Sequence, residues 1–244
     1  MRLLSYNIRH GGAGREAAIA RVIKACRADL VLLQEATRPE SVERIARLAG
    51  MATWRSYGRQ SLGFLSREPV SHAQWHQPWL SRHAFVEVVP RGDMVRVFGV
   101  HLAAVHAAWT EMRRVFELRA LLRSIAHYQK GFHVLAGDFN TLPPGERLDI
   151  RRLPPRLRPF VWLSGGRIKW RTIQTILDDG YVDAYRAHHA LATGHTFPAW
   201  DPHLRLDYVF VPKTHIDRVR SCDVVLDPLA IEASDHLPIV AEIA

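Results

Sequence analysis

The sequence predicts an α/β fold, because segments with strand-like and helix-like patterns alternate along the chain. Apolar runs at residues 2–8 and 29–34 have the length and composition of buried strands, and residues 15–28 between them carry apolar side chains at helical spacing. From residue 61 to 100 the pattern changes to short β-like runs separated by turn residues. A helical pattern returns over 111–128. The chain therefore contains helices together with more strands than the two of a single βαβ unit.

Turn and capping residues set the boundaries of these elements. His10-Gly11-Gly12 forms the turn after the first strand, and Pro39 begins a helix that Gly50 ends. Pro90-Arg91-Gly92-Asp93 indicates a hairpin. We predict the remaining strands at 62–65, 85–89, 94–100, 132–136, 206–211, about 222–226 and 237–243, and a further helix at about 172–179.

The chain of 244 residues reads as a single domain over 1–244, since it has no internal repeat, low-complexity tract or dividing linker. A proline- and arginine-rich excursion at about 143–171 interrupts it. Between Arg147 and Arg171, eight basic residues stand against one acidic residue. This segment therefore supplies most of the net charge of +9.

The net charge favours an anionic partner, such as nucleic acid, a phosphorylated substrate or an acidic membrane surface. A soluble protein that is merely basic is the open alternative. Cys26 and Cys222 are the two cysteines, so no disulfide framework or Cys-x-x-Cys zinc pattern is expected. The first strand begins at Arg2 and no apolar run approaches the length of a membrane span. We expect a cytoplasmic monomer that does not insert into membranes.

Polar side chains stand at the ends of the predicted strands. Each has an ordinary structural explanation when taken alone, as a turn residue, a helix cap or a core histidine. Strand ends that gather at one rim would instead form a cup of carboxylates, amides and imidazoles. Such oxygen ligands suit Mg²⁺ or Mn²⁺ better than zinc. The residues in question are Asn7, Glu35, His101, Asp138, Asn140, Asp207, Asp235 and His236.

Six short motifs resemble, in their order, those of the endonuclease/exonuclease/phosphatase superfamily of metal-dependent phosphoesterases. The resemblance extends from residue 2 to residue 243. It implies a four-layer α/β/β/α sandwich of two mixed, mainly antiparallel sheets flanked by helices. The motifs are Ser5-Tyr6-Asn7-Ile8, Leu33-Gln34-Glu35, Gly99-Val100-His101-Leu102, Gly137-Asp138-Phe139-Asn140, Arg205-Leu206-Asp207-Tyr208 and Ser234-Asp235-His236.

The resemblance implies a catalytic Mg²⁺, with Mn²⁺ as a substitute. Glu35 resembles its main ligand, with Asn7 beside it and Asp235 contributing. No residue clearly matches the acid that orients the second histidine in the deoxyribonuclease branch, and Glu87 is the candidate.

The resemblance also implies the catalytic roles. Asp138 resembles the carboxylate that orients or deprotonates the attacking water, and Asn140 holds that carboxylate or the phosphate. His236 resembles the imidazole at the scissile phosphate, with Asp207 fixing its tautomer. His101 matches the second histidine, which contacts a phosphate oxygen or protonates the leaving oxygen.

These roles predict a Mg²⁺-dependent phosphodiester hydrolase, most simply a nuclease that cleaves DNA with low sequence specificity. In the basic excursion, Arg151, Arg152, Arg167 and Lys169 are the expected substrate contacts. One alternative is a phosphodiesterase or phosphatase acting on a phospholipid, sugar or inositol phosphate, for which Trp75–Trp79 is the candidate apolar surface. A second alternative is a non-catalytic nucleic-acid-binding module.

Overall fold

Two six-stranded sheets form the centre of the protein. The computed structural model describes residues 1–78, 81, 83–92, 95–104, 108–128, 131–146, 149–152, 158–159 and 170–244. The first sheet has the order β11-β12-β1-β2-β4-β3, with β1 (Arg2–Asn7), β2 (Leu30–Gln34), β3 (Thr53–Ser56), β4 (Leu62–Ser66), β11 (Val219–Val224) and β12 (Ile239–Ile243). The second has the order β5-β6-β7-β8-β10-β9, with β5 (Val70–His76), β6 (Phe85–Pro90), β7 (Arg96–His101), β8 (His133–Asp138), β9 (Tyr181–Asp183) and β10 (Asp207–Pro212).

The sheets pack face to face between two layers of helices. Leu32 and Phe64 of the first sheet meet Val86 and Val134 of the second in one buried apolar cluster. Helices cover the two outer faces, and each face has its own apolar cluster. The predicted α/β/β/α sandwich of two mixed sheets is confirmed. The described helices are α1 (Glu16–Ala25), α2 (Pro39–Ala49), α3 (Ala108–Ser124), α4 (Arg171–Asp178), α5 (Ala184–His188) and α6 (Pro228–Ala233).

The predicted strands agree with the structure wherever the sequence is strongly apolar, and α1 to α4 also lie where helices are expected. The sequence reasoning missed β3, β5 and β9. β5 is an edge strand without a fully buried residue, and β9 has three residues, so neither carries a strand-like apolar pattern. Asp93 and Met94, at the end of the predicted hairpin, lie outside the described residues.

Two exclusions from the sequence can be compared with the structure. Cys26 and Cys222 are both buried free thiols, in agreement with the absence of a disulfide framework. A helix with the length and apolarity needed to cross a bilayer is not found among the described residues.

One parallel strand pair in each sheet determines where the polar strand ends lie. β1 runs parallel to β2 and places Asn7 opposite Gln34, whereas β7 runs parallel to β8 and places His101 opposite Asp138. β10 is antiparallel to β8, so its first residue, Asp207, pairs with Asp138. β12 is antiparallel to β1, and the segment before it therefore reaches the same end of the first sheet. All of these ends form one rim.

Gly137 precedes Asp138 at the closest approach of β7 and β8. A Cβ atom at this position would overlap the backbone carbonyl of Val100. We expect Gly137→Ala to lower the free energy of unfolding by about 3 kcal/mol, because two paired strands must separate to admit the methyl group. Urea denaturation measures this change. Gly58→Ala is the control, because its nearest non-neighbouring atom would lie 3.6 Å away. Equal stability of the two variants would contradict the prediction.

Candidate active site

A hydrogen bond between the two sheets lies at the centre of the rim. Asn7 Nδ2 donates to Asp138 Oδ2 over 3.0 Å, so β1 of one sheet is joined to β8 of the other. Asn7 Oδ1 accepts from the backbone N–H of Arg9 at 3.0 Å, which fixes the orientation of the amide. The Ser234 hydroxyl donates to the backbone carbonyl of Asn7 at 2.7 Å. This hydrogen bond attaches the segment before β12 to Asn7 at the end of β1.

His236 lies between two carboxylates. Its Nδ1 is 2.9 Å from Asp207 Oδ2, and its Nε2 is 3.9 Å from Asp138 Oδ2. The ring of Phe197 packs 4.8 Å from the imidazole, centroid to centroid. Burial disfavours the charged imidazole, but Asp207 and Asp138 outweigh burial and raise the pKa of His236 to about 10. The side chain is therefore an imidazolium near neutral pH.

Asp138 is buried, and both of its oxygens have polar neighbours. Besides the bond from Asn7, its Oδ1 accepts from the backbone N–H of Asn140 at 2.9 Å. Burial, with a further contribution from Asp207, raises the pKa of Asp138 to about 7. Asn140 Nδ2 donates to the carbonyl of Leu102 at 3.0 Å, which holds the loop after β8 against the loop after β7. A carboxyl group with this pKa suits proton transfer at neutral pH.

His101 approaches Asp138 from the neighbouring strand, with 3.9 Å between Nε2 and Asp138 Oδ2. Burial lowers the pKa of His101 to about 4, so the ring is neutral at physiological pH. Its Nδ1 is buried and has no hydrogen-bond partner among the described residues. Glu87, the one candidate partner named from the sequence, does not take this role, because its carboxylate contacts His76 and Arg96 instead.

Glu35 follows β2 with a left-handed backbone, at a φ of 55°. Its Oε2 accepts from the backbone N–H of His10 at 2.6 Å, and its Oε1 lies 3.5 Å from Asn7 Nδ2. Burial alone would raise the pKa of the Glu35 carboxyl group. The hydrogen bond from His10 and the nearby imidazoles outweigh burial, and the pKa of Glu35 is lowered. Asp235 Oδ2 lies 3.4 Å from Arg9 Nε. Glu35 is thus an ionised, partly buried carboxylate beside Asn7.

The donor set fits a hard divalent cation. Asp138, Asp207 and His236 each offer a ligand atom, and these atoms lie within 4.8 Å of one another. Asp207 Oδ1 is buried without a hydrogen-bond partner among the described residues, which leaves an anionic oxygen for a further ligand. The carboxylate oxygens of Asp138, Asp207 and Glu35 and the amide oxygen of Asn7 are of the type that Mg²⁺ and Mn²⁺ prefer. His236 offers a ring nitrogen instead, which binds a metal only when the imidazole is deprotonated. The sequence analysis placed Asp138, Asp207 and His236 within the cup of polar strand ends that suits Mg²⁺ or Mn²⁺, and the resemblance then gave all three catalytic roles.

The predicted substrate contacts are described only in part. Arg152 Nη2 forms a 2.5 Å ion pair with Asp201, and Arg151 is exposed. Arg167 and Lys169 lie outside the described residues.

Three neighbours of the catalytic residues were missed by the sequence reasoning. Arg9 and His10 lie two and three residues after Asn7, so their place in the chain was the available signal. Phe197 carries no local signal, since its contact with His236 depends on the fold.

Two packed sheets thus bring buried carboxylates, an imidazolium and an amide together, a set of groups that suits the hydrolysis of a phosphate ester. The family model described as Endonuclease/Exonuclease/phosphatase family matches residues 4–236. The chain therefore belongs to this family and is a phosphoesterase enzyme. No curated protein matches the sequence.

Solved structures share the fold over the whole chain. An AP endonuclease from Archaeoglobus fulgidus is 20% identical with a TM-score of 0.74, and coverage is 100% of this chain and 99% of that chain. A variant of the 3′ phosphatase NExo from Neisseria, bound to a product DNA hairpin, is 19% identical with a TM-score of 0.76 and the same coverage. The 3′-5′ exonuclease NExo from Neisseria meningitidis is 19% identical, with a TM-score of 0.73 and again the same coverage.

The pKa of His236 can be measured to test whether Asp207 stabilises the imidazolium. We expect Asp207→Asn to lower the pKa of His236 by more than about one unit, since the strongest group that offsets burial is lost. An NMR pH titration of the His236 Cε1–H measures this pKa. Asp201→Asn, which removes an exposed carboxylate, is the control. A His236 pKa that is unchanged in Asp207→Asn would contradict the assignment.

Proposed function

We propose that the protein is a Mg²⁺-dependent nuclease that cleaves DNA with little sequence preference. The observation that carries the proposal is the meeting at one rim of Asn7 from β1, Asp138 from β8 and His236 from the segment before β12. The net charge of +9 favours a polyanionic substrate. A structural neighbour bound to a product DNA hairpin supports DNA as that polyanion. We also propose that residues 1–244 form one catalytic domain, with the excursion at 143–171 along the substrate.

Glu35 and Asn7 would hold the Mg²⁺, with Asp235 contributing from the neighbouring segment. Mn²⁺ would take the same ligands. The bound cation neutralises the negative charge that builds on the phosphoryl oxygens during attack. Glu35 suits this position because it is ionised and held by the backbone N–H of His10.

The remaining residues handle the protons. Asp138, with a pKa of about 7, takes a proton from the attacking water, while Asn140 fixes the other carboxylate oxygen. Attack on phosphorus breaks the bond to the leaving oxygen on the opposite side. His236 is protonated and held by Asp207, so it donates from Nε2 to the phosphate or the leaving oxygen. His101, neutral at pH 7, donates from Nε2 to a non-bridging oxygen.

The lipid alternative finds less support. Trp75 donates its indole N–H to the Leu62 carbonyl at 3.3 Å, and its ring packs against Tyr57 and Phe64. Trp75 is therefore packed against other residues of the fold and does not project as a membrane-binding side chain. Trp79 lies outside the described residues.

Cleavage of supercoiled plasmid and of labelled oligonucleotides tests the proposal. The wild type should cleave both with Mg²⁺ or Mn²⁺ and neither with EDTA. Glu35→Gln and His236→Gln should each lower the rate by about 10²-fold or more, because each removes a charge that acts in the transition state. Glu40→Gln, at an exposed position on α2, is the control and should retain the wild-type rate.

A panel of phosphate esters distinguishes the alternatives. Hydrolysis of inositol phosphates, sugar phosphates or phospholipids by a wild type that leaves DNA intact would show that the nuclease proposal is wrong. Equal DNA cleavage by Glu35→Gln and the wild type would contradict the assigned site.

A further inference from the structure

The first half of α3 turns charged side chains toward the protein interior. Glu111, Arg114 and Glu117 are 2%, 1% and 0% exposed. Arg114 Nη2 donates to Glu111 over 2.8 Å, and Glu111 also accepts from the backbone N–H of Thr172 at 2.7 Å. Glu117 lies 3.1 Å from His83 Nδ1. These pairings bury three charges on the side of the helix that normally carries apolar residues.

The opposite side of the same turns is apolar and exposed. Trp109, Met112 and Phe116 are 55%, 68% and 41% exposed. Their spacing of three and four residues places them on one face, which we call the α3 stripe. A helix with a charged interior face and an apolar solvent face is the reverse of the usual arrangement. Contiguous exposed apolar residues commonly mark a binding surface.

The second half of α3 has the ordinary arrangement. Leu118 and Leu121 are buried, and Arg119 and Arg123 point outward. These arginines lie three and seven residues beyond Phe116, so they continue the line of the α3 stripe. The outer face of α3 is therefore aromatic and apolar at one end and cationic at the other.

The buried face of α3 contacts residues next to the active site. Arg114 Nη1 donates over 2.8 Å to the carbonyl of Ala103, two residues beyond His101. The ring of His83, which Glu117 holds, lies 6.0 Å from the ring of His101, centroid to centroid. A strand whose phosphate lies at His101 can thus extend onto α3.

We propose that the α3 stripe binds unpaired nucleotides that flank the scissile phosphate, with bases stacked on Trp109 and Phe116 and backbone phosphates at Arg119 and Arg123. This inference rests on the proposed nuclease function and narrows its substrate to DNA with a single-stranded segment. A combination of aromatic side chains and nearby cations is the usual means of binding single strands. A second copy of this chain would bring the same positive charge to the stripe, which disfavours self-association there.

Fluorescence anisotropy with labelled oligonucleotides, in EDTA to prevent cleavage, tests the inference. The double variant Trp109→Ala/Phe116→Ala should bind a single strand about tenfold more weakly than the wild type or worse, because base–aromatic contacts are lost. Its affinity for a blunt duplex should stay within about twofold, since phosphate contacts remain. Its rate on bis(p-nitrophenyl) phosphate, which has no base to stack, should be unchanged.

Leu191→Ala at a 99% exposed position is the matched control for loss of exposed apolar surface, and it should bind single strands like the wild type. Trp109→Phe, which keeps an aromatic ring, should retain most of the affinity. Reduced single-strand binding with an intact rate on the small ester would support the proposal and exclude misfolding.

Several outcomes would overturn it. Unchanged single-strand affinity in the double variant, while the wild type cleaves DNA, would contradict the α3 stripe alone. A wild type that neither cleaves nor binds DNA would overturn the nuclease function as well. The inference is also wrong if the double variant keeps its DNA affinity but loses binding to phosphatidylserine vesicles, or converts a wild-type dimer to a monomer.

Discussion

The site depends on one hydrogen bond that joins the two sheets, from the amide of Asn7 to the carboxylate of Asp138. Each partner ends a strand of the one parallel pair in its sheet, so the register of the sheets places both at the same rim. A buried carboxylate is costly without polar partners, and the Asn7 amide and the Asn140 backbone N–H offset this cost. The packing of the sandwich therefore determines the geometry of the site.

Burial and neighbouring charge give similar groups opposite protonation states. His236, between Asp207 and Asp138, has a pKa raised to about 10, whereas burial lowers the pKa of His101 to about 4. Environments that separate pKa values in this way distinguish an acid from a neutral hydrogen-bonding group. The left-handed backbone of Glu35 costs of order 1–2 kcal/mol in a non-glycine residue. The hydrogen bond from the His10 backbone N–H to the Glu35 carboxylate helps to offset this cost.

Sequence reasoning succeeded where one local pattern carried the information. The apolar runs of β1, β2, β7 and β8 predicted both the strands and the polar residues at their ends. It failed where tertiary contacts decide the outcome. No partner for His101 could be assigned from the sequence, and the candidate, Glu87, contacts His76 and Arg96 instead. The orientation of α3 was equally hidden, because a helical pattern does not reveal that buried ion pairs replace apolar contacts.

The most direct test of the central claim is an anomalous difference map from crystals soaked in Mn²⁺. We expect a peak at the rim, about 2.0–2.3 Å from a Glu35 carboxylate oxygen and within the same site as Asn7 and Asp138. The absence of a peak at this rim at saturating Mn²⁺, or a peak found only elsewhere on the protein, would contradict the proposed metal site.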